Sequence, residues 1–371
     1  MKVVYFTRGQ SPHDLRFLQA LARTEHQVFV LCLEQMNGRS WPAGITEIQW
    51  KSTVTGQGSG SFFLMLKNLR QVISEVKPDL IHAGPIQQIA FLIALIGFQP
   101  LLTMSWGSDI LLDADQNSYM RWKTRFTLKH TRVLVGDCLS VGAKSVTFGF
   151  PLNRYRMFPW GVDLAHFSPD GSASLRQKLG WEDKTVLLSN RSMEPLYGVD
   201  LVVKAFIMAS KDNESLRLML FGRGSQEKTI RKIIEDHGVV NKVYFGGFAA
   251  TQDLPDIYRS ADYYLSASHS DGSSVSLMEA LACGLPVIVS DIPGNLEWVT
   301  ENSNGWLFKD NDVTDLAKKI TKAEISGDHL QRMKKQNRIL AQNRADWLKN
   351  FPVLLDAYDL AINAKKEAFS E

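Results

Sequence analysis

Two doubly wound α/β domains, each a parallel sheet wrapped by helices, are what this sequence predicts, and three observations predict them. The first is size: 371 residues at about 100 to 200 per domain give about two domains, and 44% apolar side chains supply their cores. The second is rhythm, since short β-rich runs alternate with helix-length amphipathic stretches. The third is that this rhythm breaks off at a cluster of turn-forming residues and then begins again.

Taken in order, strands are expected at Lys2 to Phe6, Gln27 to Cys32, Asp79 to Ala83, Leu101 to Ser105 and Arg132 to Val135, with helices between them, as at Asp14 to Arg23 and Phe62 to Val76. The joint falls at Phe167-Ser168-Pro169-Asp170-Gly171-Ser172. The second half resumes with strands at Thr185 to Ser189, Leu216 to Phe221, Lys242 to Phe245, Asp262 to Ser266 and Pro286 to Ser290. After Asp315 the chain reads as helix to its end, including Trp347 to Ala364. The domains are therefore expected at 1–167 and 168–346. No short-period repeat or low-complexity tract interrupts them.

Composition excludes several classes. The 42 Lys and Arg against 39 Asp and Glu leave +3, too near balance for a dedicated nucleic-acid binder. The sign is uneven, with 17 basic and 11 acidic residues through Phe167, hence +6 there and −3 in the remainder. Cys32, Cys138 and Cys283 are odd in number and far apart, which argues against a disulfide framework or a zinc site and suits a reducing cytosol. The apolar start Val3-Val4-Tyr5-Phe6 is shorter than the roughly 7 to 15 residues of a signal-peptide core, and Ile89 to Phe98 is about half a membrane span.

In open α/β sheets, ligands bind beyond the carboxyl ends of the strands. The segments just beyond the expected strands of this chain are polar and glycine-rich: Thr7-Arg8-Gly9-Gln10, Trp106-Gly107-Ser108-Asp109, Asn190-Arg191, Gly222-Arg223-Gly224, Gly246-Gly247-Phe248, Ser268 to Gly272, and Asp291. Ser270 to Pro286 is the most informative segment, a loop of small residues entering a helix that Gly284 ends. Such a helix start offers unpaired N–H groups and a positive dipole end to a diphosphate. Glu279, about one turn in, can accept both hydroxyls of a ribose. It has a plainer reading of equal weight, because Ser276-x-x-Glu279 also spells a capping box.

Arg191 can meet the same diphosphate with its fork of donors, although alone it would read as a solvated loop arginine. Gly222-x-Gly224 is too short for a dinucleotide fingerprint and reads as a tight turn. His269 serves equally as a general acid or base or as a loop imidazole. The basic stretch Arg121 to Phe126, continuing through Lys129 and Arg132, reads first as a solvated helix face and second as an attractor of acidic headgroups.

Trp160-Gly161-Val162-Asp163 with Phe167-x-Pro169, Phe221-Gly222-x-Gly224, Val243-x-Phe245-x-Gly247, Ser268 through Val289, and Pro293-Gly294-Asn295-x-Glu297 occur in that order. Together they resemble the family-4 retaining glycosyltransferases, whose GT-B fold sets two Rossmann-like domains facing across a cleft. In that family an acidic residue, seven intervening positions and a glutamate mark the donor site, and Asp271 with Glu279 have this spacing. The resemblance implies that Asp271, a shortened version of the usual glutamate, lies near the transferred sugar and that Glu279 holds the ribose. Backbone groups at Ser273, Ser274 and Val275 then meet the phosphates, with Tyr197, Gly222, Arg223 and Phe248 completing the donor side. The family pairs its arginine with a lysine five residues later; here Tyr197 stands just before Gly198. Either Tyr197 donates a neutral hydrogen bond, or Arg223 or Arg8 supplies the second cation.

A second departure is Trp106, where many relatives carry a histidine after the fourth strand; Asp109 is then the nearby polar candidate for orienting an acceptor. The family's paired glycines after the first strand are reduced to Gly9, and His13, Asp14 and Arg16 can line the acceptor side. Asp14 has a helix-capping reading of comparable weight. As in similar proteins, the terminal helix, about 347–371, is expected to return to the first domain.

The resemblance implies a retaining transferase that moves a sugar from a nucleotide diphosphate, UDP favoured on family frequency, to a saccharide or lipid-linked acceptor. Arg191 and the helix start would stabilise the leaving diphosphate, and no metal or other cofactor is expected. The +6 first domain and Trp122 point to peripheral contact with an anionic membrane from the cytoplasmic side, and to surface polysaccharide or glycoconjugate synthesis. An epimerase or phosphorylase on the same fold, and an inactive nucleotide-sugar-binding protein, are the competing expectations. A nicotinamide dehydrogenase is poorer, because no complete Gly-x-Gly-x-x-Gly follows the first strand.

Overall fold

A computed structural model of the chain describes residues 1–9, 11–34, 40–51, 59–323 and 328–367. Gln10, expected beyond the first strand, and the last four residues of the expected terminal helix lie outside that set. Two parallel sheets organise the chain. The first comprises β1 (Lys2–Thr7), β2 (Gln27–Cys32), β3 (Ile45–Glu47), β4 (Leu80–Ala83), β5 (Leu101–Met104), β6 (Val133–Gly136) and β7 (Tyr155–Met157), in the order β3-β2-β1-β4-β5-β6-β7. The second comprises β8 (Thr185–Asn190), β9 (Leu216–Phe221), β10 (Val243–Gly247), β11 (Tyr263–Ser266), β12 (Val287–Ser290) and β13 (Gly305–Phe308), in the order β10-β9-β8-β11-β12-β13.

Both orders reverse once, between β1 and β4 in the first sheet and between β8 and β11 in the second. A reversal sends the flanking crossovers to opposite faces and opens a crevice at the carboxyl ends of the two central strands. β3, β7 and β13 were not foreseen from the sequence. All three lie at sheet edges and are three or four residues long, too short for a distinct β-rich run.

The second sheet buries both faces, which explains its aliphatic strands. On one side Leu187, Leu218, Leu220, Leu265 and Ile288 pack with the helices Val199–Ala209 and Val313–Lys322. On the other Val186, Leu188, Met219, Tyr264, Val287 and Val289 pack with the helix Val275–Ala282. Each fully buried side chain of this size contributes about 1.5–3 kcal/mol. Ser276 through Ala282 are all buried, so this helix is enclosed on every side, and its polar members must find partners inside the protein.

The chain divides into one unit of Met1–Phe158 with Phe351–Glu371 and another of Pro159–Asn350, rather than at 167 and 347. Packing explains the earlier boundary. Val162 N–H donates to Ala345 O (2.7 Å), Trp347 N–H donates to Val162 O (3.0 Å), and Val162 and Phe167 belong to the second unit's core. Beyond Asn350 the helix Trp347–Glu367 packs on the first sheet's unit, where Tyr358 Oη meets His82 Nδ1 at 2.8 Å and Arg156 Nε donates to Asp356 Oδ2 at 2.9 Å.

Candidate functional site

Arg191 leaves the carboxyl end of β8, and the loop after β11 leads into the helix Val275–Ala282, so the two meet at the reversal point of the second sheet. The guanidinium is almost enclosed. One terminal nitrogen donates to Ser274 Oγ (2.6 Å) and Ser276 Oγ (3.0 Å), and the other to Asp271 Oδ2 (2.5 Å). Burial, the largest single influence, opposes its charge, but Asp271 together with Tyr264 and Tyr197 outweighs it and holds the guanidinium above the ordinary arginine range. Its Nε is buried with no hydrogen-bond partner among the described residues.

Tyr197 supplies the floor of this cluster. It ends the turn Pro195–Tyr197, and its ring centroid lies 4.3 Å from the guanidinium carbon of Arg191. Five residues after Arg191, where the resembled family carries lysine, this chain has Leu196, and Tyr197 next to it lays an aromatic face on the arginine. Arg223 is exposed, with no side-chain partner among the described residues; its carbonyl accepts from Met193 N–H and Ser192 Oγ. Arg8, in the other unit, pairs with Glu34 at 2.7 Å.

Glu279 sits in the second turn of the helix, 9% exposed, and its Oε2 accepts from Tyr258 Oη at 2.7 Å. The phenol's single proton is shared with Ser276 O, 3.1 Å away, and its oxygen accepts from Asn190 Nδ2; burial first, and the charge of Glu279 second, push its pKa up. The capping-box reading does not hold. Ser274 is the N-cap, so Ser276 is already the second helical residue, and its hydroxyl is occupied by Arg191 and by Tyr264 Oη at 2.7 Å. Ser274 itself makes no side-chain capping bond. Asn190 was named from sequence beside Arg191, whereas Tyr258 and Tyr264 are missed because each serves the site through a neighbour, and no motif spacing links them to it.

The loop backbone is held from behind. Trp298 Nε1 donates to Ser273 Oγ (2.9 Å), and Asn295 Nδ2 donates to Ser290 O (2.9 Å). A Cβ on Gly294 would lie 2.2 Å from Gly272 O and 2.5 Å from Asp271 O, so only glycine lets the two segments touch. Gly222 has the same function behind Arg191: its φ is +116°, and a Cβ there would lie 2.2 Å from Arg191 O. Val275 opens the helix, while Phe248 stands 72% exposed after β10. His269 bonds Asp310 Oδ1 through Nδ1 at 2.7 Å, a loop tie that keeps the imidazole occupied.

In the first unit two expected site carboxylates are consumed by the chain itself. Asp109 Oδ1 accepts from Ser105 Oγ (2.6 Å), Trp106 N–H (3.1 Å) and Ile110 N–H (3.0 Å), and Oδ2 accepts from Ile86 N–H (2.9 Å). What Asp109 orients is therefore the backbone of the loops after β4 and β5; burial raises its pKa to about 6 in spite of those donors. Asp14 completes a reciprocal cap on the helix Pro12–Leu21: its Oδ2 accepts from Ser11 N–H (2.9 Å), Ser11 Oγ accepts from Asp14 N–H (3.1 Å), and Oδ1 takes Tyr5 Oη (2.9 Å). His13 and Trp106 come together, with ring centroids 6.3 Å apart and edge to face, while Gly9 and Arg16 are half-buried nearby in sequence. No helix among the described residues is long and apolar enough to cross a membrane.

Paired Rossmann-like sheets, with an arginine fixed at a helix mouth at the second sheet's reversal point, define the GT-B class. Anabaena HepE, solved in complex with UDP-glucose, has the same fold, with a TM-score of 0.78 at 19% identity over 99% of this chain and 100% of that one. The family model for glycosyl transferases group 1 matches residues 172–340, and that for glycosyl transferase 4-like domains matches residues 2–137. The chain belongs to the glycosyl transferases group 1 family. Among curated relatives it is 32% identical to mannosylfructose-phosphate synthase of Agrobacterium fabrum over 44% of this chain and 38% of that protein. It is 29% identical to the GDP-mannose-dependent alpha-(1-6)-phosphatidylinositol monomannoside mannosyltransferase of Mycobacterium tuberculosis over 53% of this chain and 54% of that one. The chain thus spans about half, or less, of the length of the curated relatives it matches.

Proposed function

We propose that the chain moves a sugar from a nucleotide diphosphate to a hydroxyl of a saccharide or lipid-linked acceptor, with retained anomeric configuration and without a divalent metal, in surface polysaccharide or glycoconjugate synthesis. One observation carries this reading: a buried guanidinium is fixed beside the start of a buried helix that has no side-chain cap. A departing diphosphate develops negative charge, and donors already held in place stabilise it without reorganisation. Its oxygens would take over Arg191 donors now given to Asp271 and two serines, exchanging one anion for another. Glu279, oriented by Tyr258, would accept ribose hydroxyls one turn deeper, with Asp271 near the sugar. The leaving phosphate would receive the acceptor's proton, so that no protein base is needed; Asp109 and Asp14, both spent on their own loops, are consistent with that.

Uridine is the favoured base. HepE was solved with UDP-glucose, whereas the mycobacterial relative is named for GDP-mannose, so the base is to be measured. Calorimetric titration of UDP, GDP and ADP should give one preferred nucleotide, bound at least about tenfold more weakly by Arg191→Ala and by Glu279→Ala. Arg191→Lys and melting curves accompany them, because removing one member of a buried ion pair costs stability in its own right. Parent-like affinity in both alanine variants would end this reading. The absence of the family lysine, with Tyr197 stacked on Arg191 instead, favours a second reading, nucleotide-sugar binding without transfer. Donor binding with no product across an acceptor panel would support it.

A membrane-borne acceptor forms part of the proposal. The helix Ser59–Val76 exposes Phe62, Phe63 and Leu64, and the helix Ser118–Lys129 exposes Tyr119 and Trp122; both flank the helix Phe91–Ile96. The second of these carries Arg121, Lys123, Arg125 and Lys129 and no acidic residue. Of these only Arg121 has an ion-pair partner among the described residues, Asp115, and aromatic side chains beside such cations suit an anionic headgroup layer on the cytoplasmic side.

A further inference from the structure

The helix Val275–Ala282 has a second end. Eight residues, about 12 Å along its axis, separate the Arg191 cluster from Cys283 and Gly284, which line an open cavity of about 610 Å³ within the second unit. That volume lies in the range of small-molecule sites, roughly 300–1,000 Å³. Its wall carries Arg259, Lys334, Lys335 and Arg338, and no Asp or Glu lines it.

None of these four cations forms an ion pair among the described residues. Arg338 donates to three carbonyls, those of Phe167, Ala282 and Leu164, and Arg259 donates to those of Ser172 and Ser168. Carbonyls satisfy donors without cancelling charge, and an arginine cannot relieve repulsion by losing its proton. Asp256 and Asp262, close to Arg259 in sequence, are engaged elsewhere. The first accepts from Ser172, Ser174 and Leu175, and the second pairs with Arg176. The negative end of the helix dipole, about half a charge, offsets only a fraction of four positive ones. Lys334 is half-buried and Lys335 exposed, so the cavity is open to solutes.

We propose that this cavity binds a small soluble polyanion bearing phosphate or carboxylate groups, at a site separate from the Arg191 cluster. Like charges gathered on one concave wall repel each other and focus a positive potential that a compact anion relieves. The test is calorimetry on the full chain with inorganic pyrophosphate and with citrate, each titrated in the presence of saturating UDP. The parent should bind one or both. Lys334→Glu/Lys335→Glu, which alters only side chains at the cavity's open rim, should weaken that binding by about tenfold or more, and Arg191→Ala should leave it within about twofold. Binding should also weaken as salt is raised. Heat from pyrophosphate alone assigns a phosphate site and from citrate alone a carboxylate site. Neither anion binding, the double variant binding like the parent, or binding lost in Arg191→Ala instead would each overturn the proposal. Melting of the unliganded double variant at or above the parent's temperature checks that it is folded.

Discussion

Arg191 and Asp109 are both buried charged groups, and their partners set them on opposite courses. Arg191 has a carboxylate beside it, so its charge is sustained; Asp109 has only neutral donors, and burial raises its pKa to about 6. An unfolded aspartate titrates near 4, so between about pH 4 and 6 the folded chain binds the extra proton. This residue's contribution to stability is therefore full below about pH 4 and is lost as pH rises through 6, a difference of roughly 3 kcal/mol. His82 works the other way. Burial lowers its pKa to about 3, so the unfolded chain binds more protons below about 6.5 and stability falls as the solution is acidified. The two slopes oppose each other in the parent. Asp109→Asn removes one, and its stability should drop more steeply from pH 6 to pH 4 than the parent's, as read from denaturant midpoints; parallel curves would contradict the assignment. The sequence offered Asp109, just past a strand, and Asp14, by resemblance, as acceptor-side candidates, but only the structure shows which donors surround them.

At the level of elements, the proposed donor-side site is a junction of β8, the helix Val275–Ala282 and the segment 293–298. The sequence singled out Asp271, Ser274, Glu279 and Arg191 as candidates, and the structure brings Arg191 against Asp271 and Ser274. The register of the helix was not legible in sequence: a shift of the cap from Ser276 to Ser274 turns Ser276 from a helix cap into a partner of Arg191. Cap choice depends on where the preceding loop releases the chain, which packing against Trp298 and Gly294 decides. Gly294→Ala would drive a methyl into two backbone carbonyls that have no rotamer by which to yield. It should cost about 1–3 kcal/mol and also lower nucleotide affinity, by pushing Asp271 away from Arg191. Melting and UDP titration on the same protein check it, and a loss of stability with unchanged affinity would show that the loop's position does not matter to binding.

For the whole molecule, charge and exposed aromatics set the expectation for membranes. Phe63 is 70% and Trp122 50% exposed on the unit that carries the net positive charge. Flotation with anionic vesicles should recover the parent at low salt and lose it at high salt, whereas Phe63→Ser/Trp122→Ser should stay behind under both conditions. Recovery of that variant equal to the parent's would remove the membrane from the proposal. The alternation of apolar runs and amphipathic helices was enough to specify two parallel sheets, because burial on both faces demands that pattern locally, residue by residue. The short edge strands, the division at Phe158 and the partners of Asp109, Glu279 and Arg191 depended on contacts between segments far apart in the chain. Val162 joins the second unit because Ala345 and Trp347 receive it, and Arg191 keeps its buried charge because Asp271 comes from another loop. Hydrophobic periodicity is a property of neighbours along the chain, whereas the neutralisation of a buried charge is a property of neighbours in space, which only folding brings together.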